Sequence, residues 1–142
     1  MEKFIDIEKV IKNKNERLYK LLPQFVINYI KRTVHEEGVN TILNENKDLY
    51  NEDFCNEIIN RFNLNVIVHG LENIPEYGPV ILASNHPLGG MDAMAVVSSL
   101  SKRRKDIRFI VNDILLNLDN LKDLFVGVNK HGKSSKESFN NV

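Results

Sequence analysis

Residues 79–92 read Pro-Val-Ile-Leu-Ala-Ser-Asn-His-Pro-Leu-Gly-Gly-Met-Asp. The apolar run at 80–83 predicts a short buried strand, the glycine-containing turn ends it, and an apolar-periodic helix begins at Asp92. A strand, a turn and a helix in this order predict one unit of an α/β fold. His86 and Asp92 would then lie at the carboxyl end of the strand, where open α/β sheets bind their ligands.

The rest of the chain divides at about residue 64. Residues 1–63 show apolar residues at spacings of three and four and predict a helical amino-terminal layer. Residues 64–142 predict the order ββαβαβ, the first part of an α/β domain with a mainly parallel sheet and flanking helices. The predicted strands are 65–70, 80–84, 108–111 and 124–128, with helices at 92–101 and 113–118.

Composition narrows the class of protein. At 142 residues the chain has the length of one domain, and its 19 basic and 19 acidic residues cancel, so nothing indicates a nucleic-acid partner. Cys55 is the single cysteine, which excludes an intramolecular disulfide. Its place on an apolar face of a predicted helix favours a core position. The histidines lack ligand-like spacing, so we assign no metal site. Without a secretory signal or a long apolar run, we expect a cytoplasmic protein, soluble or peripheral on a membrane.

The motif pairs a histidine with a carboxylate. Pro87 keeps His86 out of the helix, and Gly89 and Gly90 allow a tight turn and a close approach of backbone to substrate. A histidine beside a carboxylate is the minimal general base for activating a hydroxyl. The alternative is that Asp92 only caps the helix, which contributes about 1 kcal/mol, and that His86 is an ordinary loop residue.

The motif resembles the Asn-His-x(4)-Asp block, with its His-x-x-x-x-Asp core, of the glycerol-phosphate and lysophospholipid acyltransferases. Five residues separate His86 from Asp92 here, and the glycine turn could absorb the extra one as a wider loop. The form Asn-His-Pro-Leu-Gly-Gly-x-Asp is also similar to a bacterial subgroup that includes enzymes making amino-acid-containing lipids. The extra residue in the spacing affects the expected role of Asp92 as the partner of the histidine more than it affects the expected role of His86.

A second stretch resembles the second block of the same family. Residues 125–130, Phe-Val-Gly-Val-Asn-Lys, continue as His-Gly-Lys. In the family a strand ends there near a basic residue that contacts the polar head of the acceptor, a role that would fall to Lys130 or Lys133. The alternative is a strand followed by a solvated basic turn.

The resemblance implies a membrane-lipid biosynthetic transferase. It would move a fatty acyl chain from acyl-CoA or acyl carrier protein to the hydroxyl of a lysolipid or glycerol-phosphate-type acceptor, with no bound cofactor or metal. His86 would accept the proton, Asp92 would orient the imidazole, and Asn85, Gly89 and Gly90 would contact substrate. The family's third block, Glu-Gly-x-Arg, is absent, so we expect the amino-terminal portion of an acyltransferase domain, inactive alone.

Two other functions compete with acyl transfer. One is a non-catalytic lipid-binding or truncated acyltransferase-like domain. The other is a thioester or ester hydrolase in which His86 activates water. Ser84 lacks the Gly-x-Ser-x-Gly surround of a nucleophile elbow, which argues against a serine esterase.

Two surface features allow alternative interpretations. The basic run 102–105 predicts a solvated helix end, and anionic lipid headgroups are the alternative ligand. The stripe of Phe25, Tyr29 and Ile30, with Lys31 and Arg32, predicts packing on the sheet, with a membrane interface as the alternative.

Overall fold

The structure is a computed structural model that describes residues 3–128, apart from the side chains at 113 and 114. Six α-helices lie in the described residues: α1 (Ile7–Lys14), α2 (Glu16–Leu21), α3 (Gln24–Thr33), α4 (Glu36–Glu45), α5 (Asn51–Arg61) and α6 (Gly90–Leu100). Two strands follow, β1 (Phe109–Val111) and β2 (Phe125–Gly127). Three 3₁₀ helices complete the order, at Leu71–Asn73, Asp113–Asn117 and Asp119–Leu124.

The first two helices begin at polar caps. Asp6 accepts a hydrogen bond from Lys9 N at 3.2 Å and caps α1, and Asn15 accepts one from Leu18 N at 3.0 Å and caps α2. An oxygen side chain at this position satisfies an amide that the helix itself leaves unpaired. The predicted helical amino-terminal region is therefore present as five short helices, α1 to α5.

Buried polar side chains of α4 hold the segment that leads into α1. Asn40 accepts from Ile5 N at 2.9 Å and donates to Ile5 O at 2.7 Å, as a neighbouring strand would. Glu36 accepts from Ile7 N at 2.9 Å and pairs with Lys3 at 3.2 Å. Both α4 side chains are buried, so each depends on these partners to offset its loss of hydration.

The core forms where α5, α6 and the 3₁₀ helix Asp119–Leu124 pack together. Ser98 of α6 donates to Asn56 of α5 at 2.6 Å and fixes the contact. Cys55 is fully buried, as the sequence predicted, and this burial raises the pKa of its thiol to about 12. The buried apolar residues of this cluster are Leu43, Phe54, Cys55, Ile58, Val97, Leu121 and Leu124.

β1 and β2 form a two-stranded parallel sheet. Phe109 is opposite Phe125, Ile110 opposite Val126 and Val111 opposite Gly127. The strands predicted at 108–111 and 124–128 are thus confirmed, each slightly shorter than expected. The helix predicted at 113–118 is the 3₁₀ helix Asp113–Asn117, which carries the chain from one parallel strand to the next.

The strands predicted at 65–70 and 80–84 are wrong for the described structure, where neither segment is assigned a strand. A strand needs a hydrogen-bonded neighbour, and the sheet of the described residues contains only β1 and β2. Ile81 is 95% exposed as a result. Helices with a small parallel sheet are compatible with the α/β class, but a mainly parallel sheet is not confirmed.

Within the described residues, no helix combines the length and the apolar character that crossing a bilayer requires.

Asn120 is predicted to stabilise the core through its buried side-chain amide. Its Nδ2 donates to Asn46 O at 2.8 Å and to Leu49 O at 2.7 Å, and the residue is 2% exposed. Asn120→Ala removes both hydrogen bonds, and within the described residues only the carbonyl group of Asn46 keeps a second donor, Leu49 N, so we expect a loss of about 1–3 kcal/mol in urea unfolding. The exposed Asn60 is the control, and Asn60→Ala should change stability by less than about 0.5 kcal/mol. Equal losses in the two variants would contradict the assignment.

Candidate active site

The motif residues occupy an exposed segment, a turn and the start of α6. Residues 81–86 have no regular secondary structure, 87–89 form the turn, and α6 begins at Gly90. The predicted helix therefore starts two residues before Asp92. Gly89 precedes the helix with φ 62° and ψ −131°, a backbone conformation that side chains other than hydrogen strongly disfavour.

The structure brings His86 and Asp92 together. Nδ1 of His86 lies 3.3 Å from Oδ2 of Asp92. The same oxygen accepts a hydrogen bond from Leu88 N at 2.8 Å. One carboxylate oxygen thus closes the turn and faces the imidazole.

This geometry settles how Asp92 serves the helix start. Asp92 is the third residue of α6, and its carboxylate bonds an amide in the preceding turn. The N-cap position is Gly89, and among the described residues no side chain bonds the first amides of the helix. The alternative in which Asp92 only caps the helix is therefore wrong: its carboxylate bonds Leu88 N instead and faces His86. The five-residue spacing between His86 and Asp92 is accommodated because the Leu88 bond and the positive φ of Gly89 fold the chain back.

The imidazole is open to a reactant. The side chain of His86 is 62% exposed, whereas that of Asp92 is 22% exposed. A neutral imidazole that donates from Nδ1 to a carboxylate carries its lone pair on Nε2. Such a ring can accept a proton from a hydroxyl group that approaches from solvent.

The basic run after α6 holds the loop that leads into the motif. Arg104 Nη1 donates to Pro75 O at 3.0 Å and to Gly78 O at 2.9 Å. Arg103 Nε donates to Ile74 O. Because residues 74–78 directly precede the motif, the carboxyl end of α6 fixes the approach of the chain to its own amino end.

The remaining cations of this run differ in their contacts. Lys105 pairs with Glu52 of α5, and Lys102 is exposed. Three of the four basic side chains at 102–105 are therefore engaged by the protein. These contacts argue against the run as a patch for lipid headgroups, and also against a purely solvated helix end.

A cavity of about 300 Å³ lies at the other end of α6. Its lining includes Val97, Ser101 and Lys105, and neither His86 nor Asp92 belongs to it. Ser101 is nine residues after Asp92, which corresponds to roughly 14 Å along the helix axis. The cavity is thus separate from the histidine–aspartate pair.

The other predicted site residues are placed as follows. Asn85 is exposed immediately before His86, and Gly89 and Gly90 lie in the turn and at the first position of α6. Lys130 and Lys133 lie outside the described residues. The sequence reasoning missed the contributions of Leu88, Arg103 and Arg104. Their bonds involve backbone groups, which leave no signal in side-chain patterns.

Comparison with known proteins identifies the class. A model of a family described as acyltransferase matches residues 9–140. Since this match covers most of the chain, the chain belongs to that acyltransferase family. The family expected from the motif at 79–92 is thereby confirmed.

Two curated relatives are similar over nearly the whole chain. A lyso-glycine lipid O-acyltransferase of Bacteroides thetaiotaomicron is 39% identical over 134 residues, covering 94% of this chain and 49% of the relative. A protein of the same name from Phocaeicola vulgatus is 40% identical over 134 residues, covering 94% of this chain and 48% of the relative. The chain thus spans about half the length of these relatives. No solved structure gives a significant match.

The two glycines of the turn provide a matched pair of variants. A Cβ on either would meet open space, but only Gly89 has a positive φ. Gly89→Ala should therefore lower the free energy of unfolding by about 1–3 kcal/mol. Gly90→Ala, at a helical position, should leave stability unchanged or raise it by up to about 1 kcal/mol. Chemical denaturation measures both, and equal effects would show that the turn does not impose the backbone conformation of Gly89.

The pairing of Arg104 with Asp106 can be tested through the pKa of the Asp106 carboxyl group. Arg104 hydrogen-bonds Asp106 and lowers the pKa of that carboxyl group to about 2. In Arg104→Ala the midpoint should rise toward the ordinary value of about 3.9, which a carboxyl NMR titration would report. Because folding lowers this pKa, the pair stabilises the protein at pH values above the unfolded-state pKa. This stabilisation is lost as the pH falls through about 2. An unchanged midpoint would contradict the pairing.

Proposed function

We propose that the whole protein moves a fatty acyl chain from an acyl thioester to the hydroxyl of a lysolipid. The supporting observation is the 3.3 Å approach of His86 Nδ1 to Asp92 Oδ2 at an exposed turn. The chain's membership of an acyltransferase family and the names of its relatives give the reaction class.

In the proposed reaction, Nε2 of His86 accepts the proton of the acceptor hydroxyl as its oxygen attacks the thioester carbonyl. The new C–O bond forms a tetrahedral intermediate, which collapses by breaking the C–S bond. The imidazolium returns the proton to the departing thiolate, giving a free thiol and an ester. Asp92 stabilises the imidazolium and fixes its orientation. The acceptor supplies the nucleophile, so no acyl-enzyme is required.

Charge on the oxygen of the intermediate would be stabilised at the start of α6. The amides of the first turn of a helix point outward and favour negative charge. Gly89 and Gly90 leave open space there, so substrate can approach the backbone. Asn85, exposed beside His86, is proposed to contact substrate in the same region.

The acceptor is proposed to be a lyso-lipid with an amino-acid headgroup. The supporting observation is that both reported relatives are named lyso-glycine lipid O-acyltransferases. Lys130 or Lys133 is proposed to contact the polar head of this acceptor. The donor is proposed to be acyl-CoA or acyl carrier protein, with the enzyme on the inner face of the cytoplasmic membrane in bacterial membrane lipid synthesis.

Hydrolysis is the second candidate function. The observation that favours it is the exposure of His86, 62% of whose side chain faces solvent. Water could then take the place of the acceptor hydroxyl as the nucleophile. Supplying acyl thioester with and without a lyso-lipid separates the two reactions, because a hydrolase releases free fatty acid in both cases.

The catalytic roles are tested in the protein expressed from its complete reading frame. We expect His86→Ala to lower the rate of lyso-lipid acylation by about 10²–10⁴-fold, the usual contribution of a general base. Asp92→Asn should lower it as well, because the amide cannot stabilise an imidazolium. The control is His69→Ala, since His69 is an exposed histidine outside the motif.

Circular dichroism would establish that each variant is folded. A His86→Ala enzyme within a few-fold of the wild-type rate would reject the general-base role. Thioester cleavage without ester formation in the wild-type enzyme would favour the hydrolase instead.

A further inference from the structure

The chain has a strong asymmetry of charge. Residues 9–32 contain seven basic residues and one acidic residue, Glu16, a formal charge of +6 in a chain whose total is zero. The basic residues are Lys9, Lys12, Lys14, Arg17, Lys20, Lys31 and Arg32. This segment forms α1 from its third residue onward, α2, and α3 up to Arg32. Glu8, which also belongs to α1, lowers the formal charge of the three helices together to +5, so the excess positive charge lies on three successive helices.

The same segment exposes large apolar side chains. Leu21 is 80% exposed, Phe25 72% and Tyr29 69%, and Leu18 is half exposed. The packing on the sheet expected for Phe25 and Tyr29 is therefore wrong. Exposed apolar residues scattered singly are common, but an adjoining group of leucines and aromatics indicates a binding surface.

Helix geometry places these residues opposite the interior. In α3 the buried residue is Ile27, and at 100° per residue Phe25 and Tyr29 point away from it, with Arg32 beside them. In α2, Leu18 and Leu21 share a side with Arg17 by the same spacing. Only residues 22–23 separate the two helices. We use the name α2–α3 face for the exposed sides of these two successive helices, made up of Arg17, Leu18, Leu21, Phe25, Tyr29 and Arg32.

The cations around this face are largely uncompensated. Lys31 forms an ion pair with Glu8, and Lys20 forms one with Glu16. Lys12, Lys14, Arg17 and Arg32 are exposed and form no ion pair within residues 3–128. Arg17 and Arg32 thus carry unpaired positive charge on the same helices as the exposed leucine and aromatic side chains.

We propose that the α2–α3 face docks on a bilayer that contains anionic lipid. Phe25, Tyr29 and the leucines enter the headgroup region, where amphipathic aromatic rings are favoured. Arg17, Arg32 and the neighbouring lysines bind the negatively charged surface. A second copy of the chain that docks through the same face is a poorer occupant, because it would bring two segments of charge +6 together.

The proposed surface goes beyond acyl transfer and rests on no catalytic step. Vesicle binding is measured without a thioester or an acceptor lipid, using the 142-residue chain described here. Failure of lyso-lipid acylation and failure of vesicle binding are therefore distinguishable results.

The first test is co-sedimentation with vesicles of phosphatidylcholine alone or with about 30% phosphatidylglycerol. The chain should prefer the anionic vesicles, and added salt should weaken the binding. Arg17→Glu with Arg32→Glu should lower the affinity by roughly tenfold or more, since each cation contributes near an anionic surface. The matched control is Lys47→Glu with Lys122→Glu, exposed cations elsewhere in the chain, which should bind nearly as wild type.

The second test follows insertion directly. The chain has no tryptophan, so Tyr29→Trp gives a single reporter, with Tyr50→Trp as the control at an exposed tyrosine outside the face. The emission of Tyr29→Trp should shift to the blue with anionic vesicles and be quenched by brominated lipid, whereas that of Tyr50→Trp should not.

Three results would overturn the proposal. The first is equal loss of binding in the two charge-reversal variants. The second is equal spectra of the two tryptophan reporters with vesicles. The third is that Phe25→Ser with Tyr29→Ser converts a dimer to a monomer, by mass in solution, without affecting vesicle binding, which would assign the face to self-association. Circular dichroism before each assay establishes that the variants are folded.

Discussion

The contact between α5 and α6 is the constraint on which the candidate site depends. Val97 is buried in the core, and Ser98 donates to Asn56 at 2.6 Å. With its middle fixed in this way, α6 presents a functional group at each end. Asp92 at the amino end bonds the motif turn, and Arg104 beyond the carboxyl end holds the carbonyl groups of the loop before the motif. A single packed helix therefore fixes both the entry to the motif and its exit.

The bond between Leu88 N and Asp92 explains how a short exposed motif can hold His86 and Asp92 close together. An exposed side-chain pair alone contributes little to stability. Here the carboxylate is already oriented by a backbone amide, and its host helix is anchored in the core, so less ordering remains when the imidazole approaches. The structural role of Asp92 supports the chemical role proposed for it, and a substitution there is expected to affect both.

What the sequence could predict follows from how local each signal is. The helix α6, the strands β1 and β2 and the proximity of His86 to Asp92 all arise from patterns within about 20 residues. The run at 80–83 could not be placed, because strand formation requires a distant partner. Nor could the sequence predict which side of α3 faces the interior, since the helix is apolar both at Ile27 and at Phe25. Asn120, Arg103 and Arg104 act on backbone carbonyls, to which side-chain composition gives no guide.

The separation of charge along the chain has a physical consequence for the proposed docking on a bilayer. The proposed lyso-lipid acceptor resides in a bilayer, and docking through the proposed α2–α3 face would bring the protein to that surface. A net positive amino-terminal segment and a net negative remainder also orient the molecule, because an anionic surface attracts one part and repels the other. This attraction weakens beyond a Debye length of about 8 Å at physiological salt. The exposed leucine and aromatic side chains of the α2–α3 face act at the short range where the electrostatic attraction alone would leave the protein loosely held.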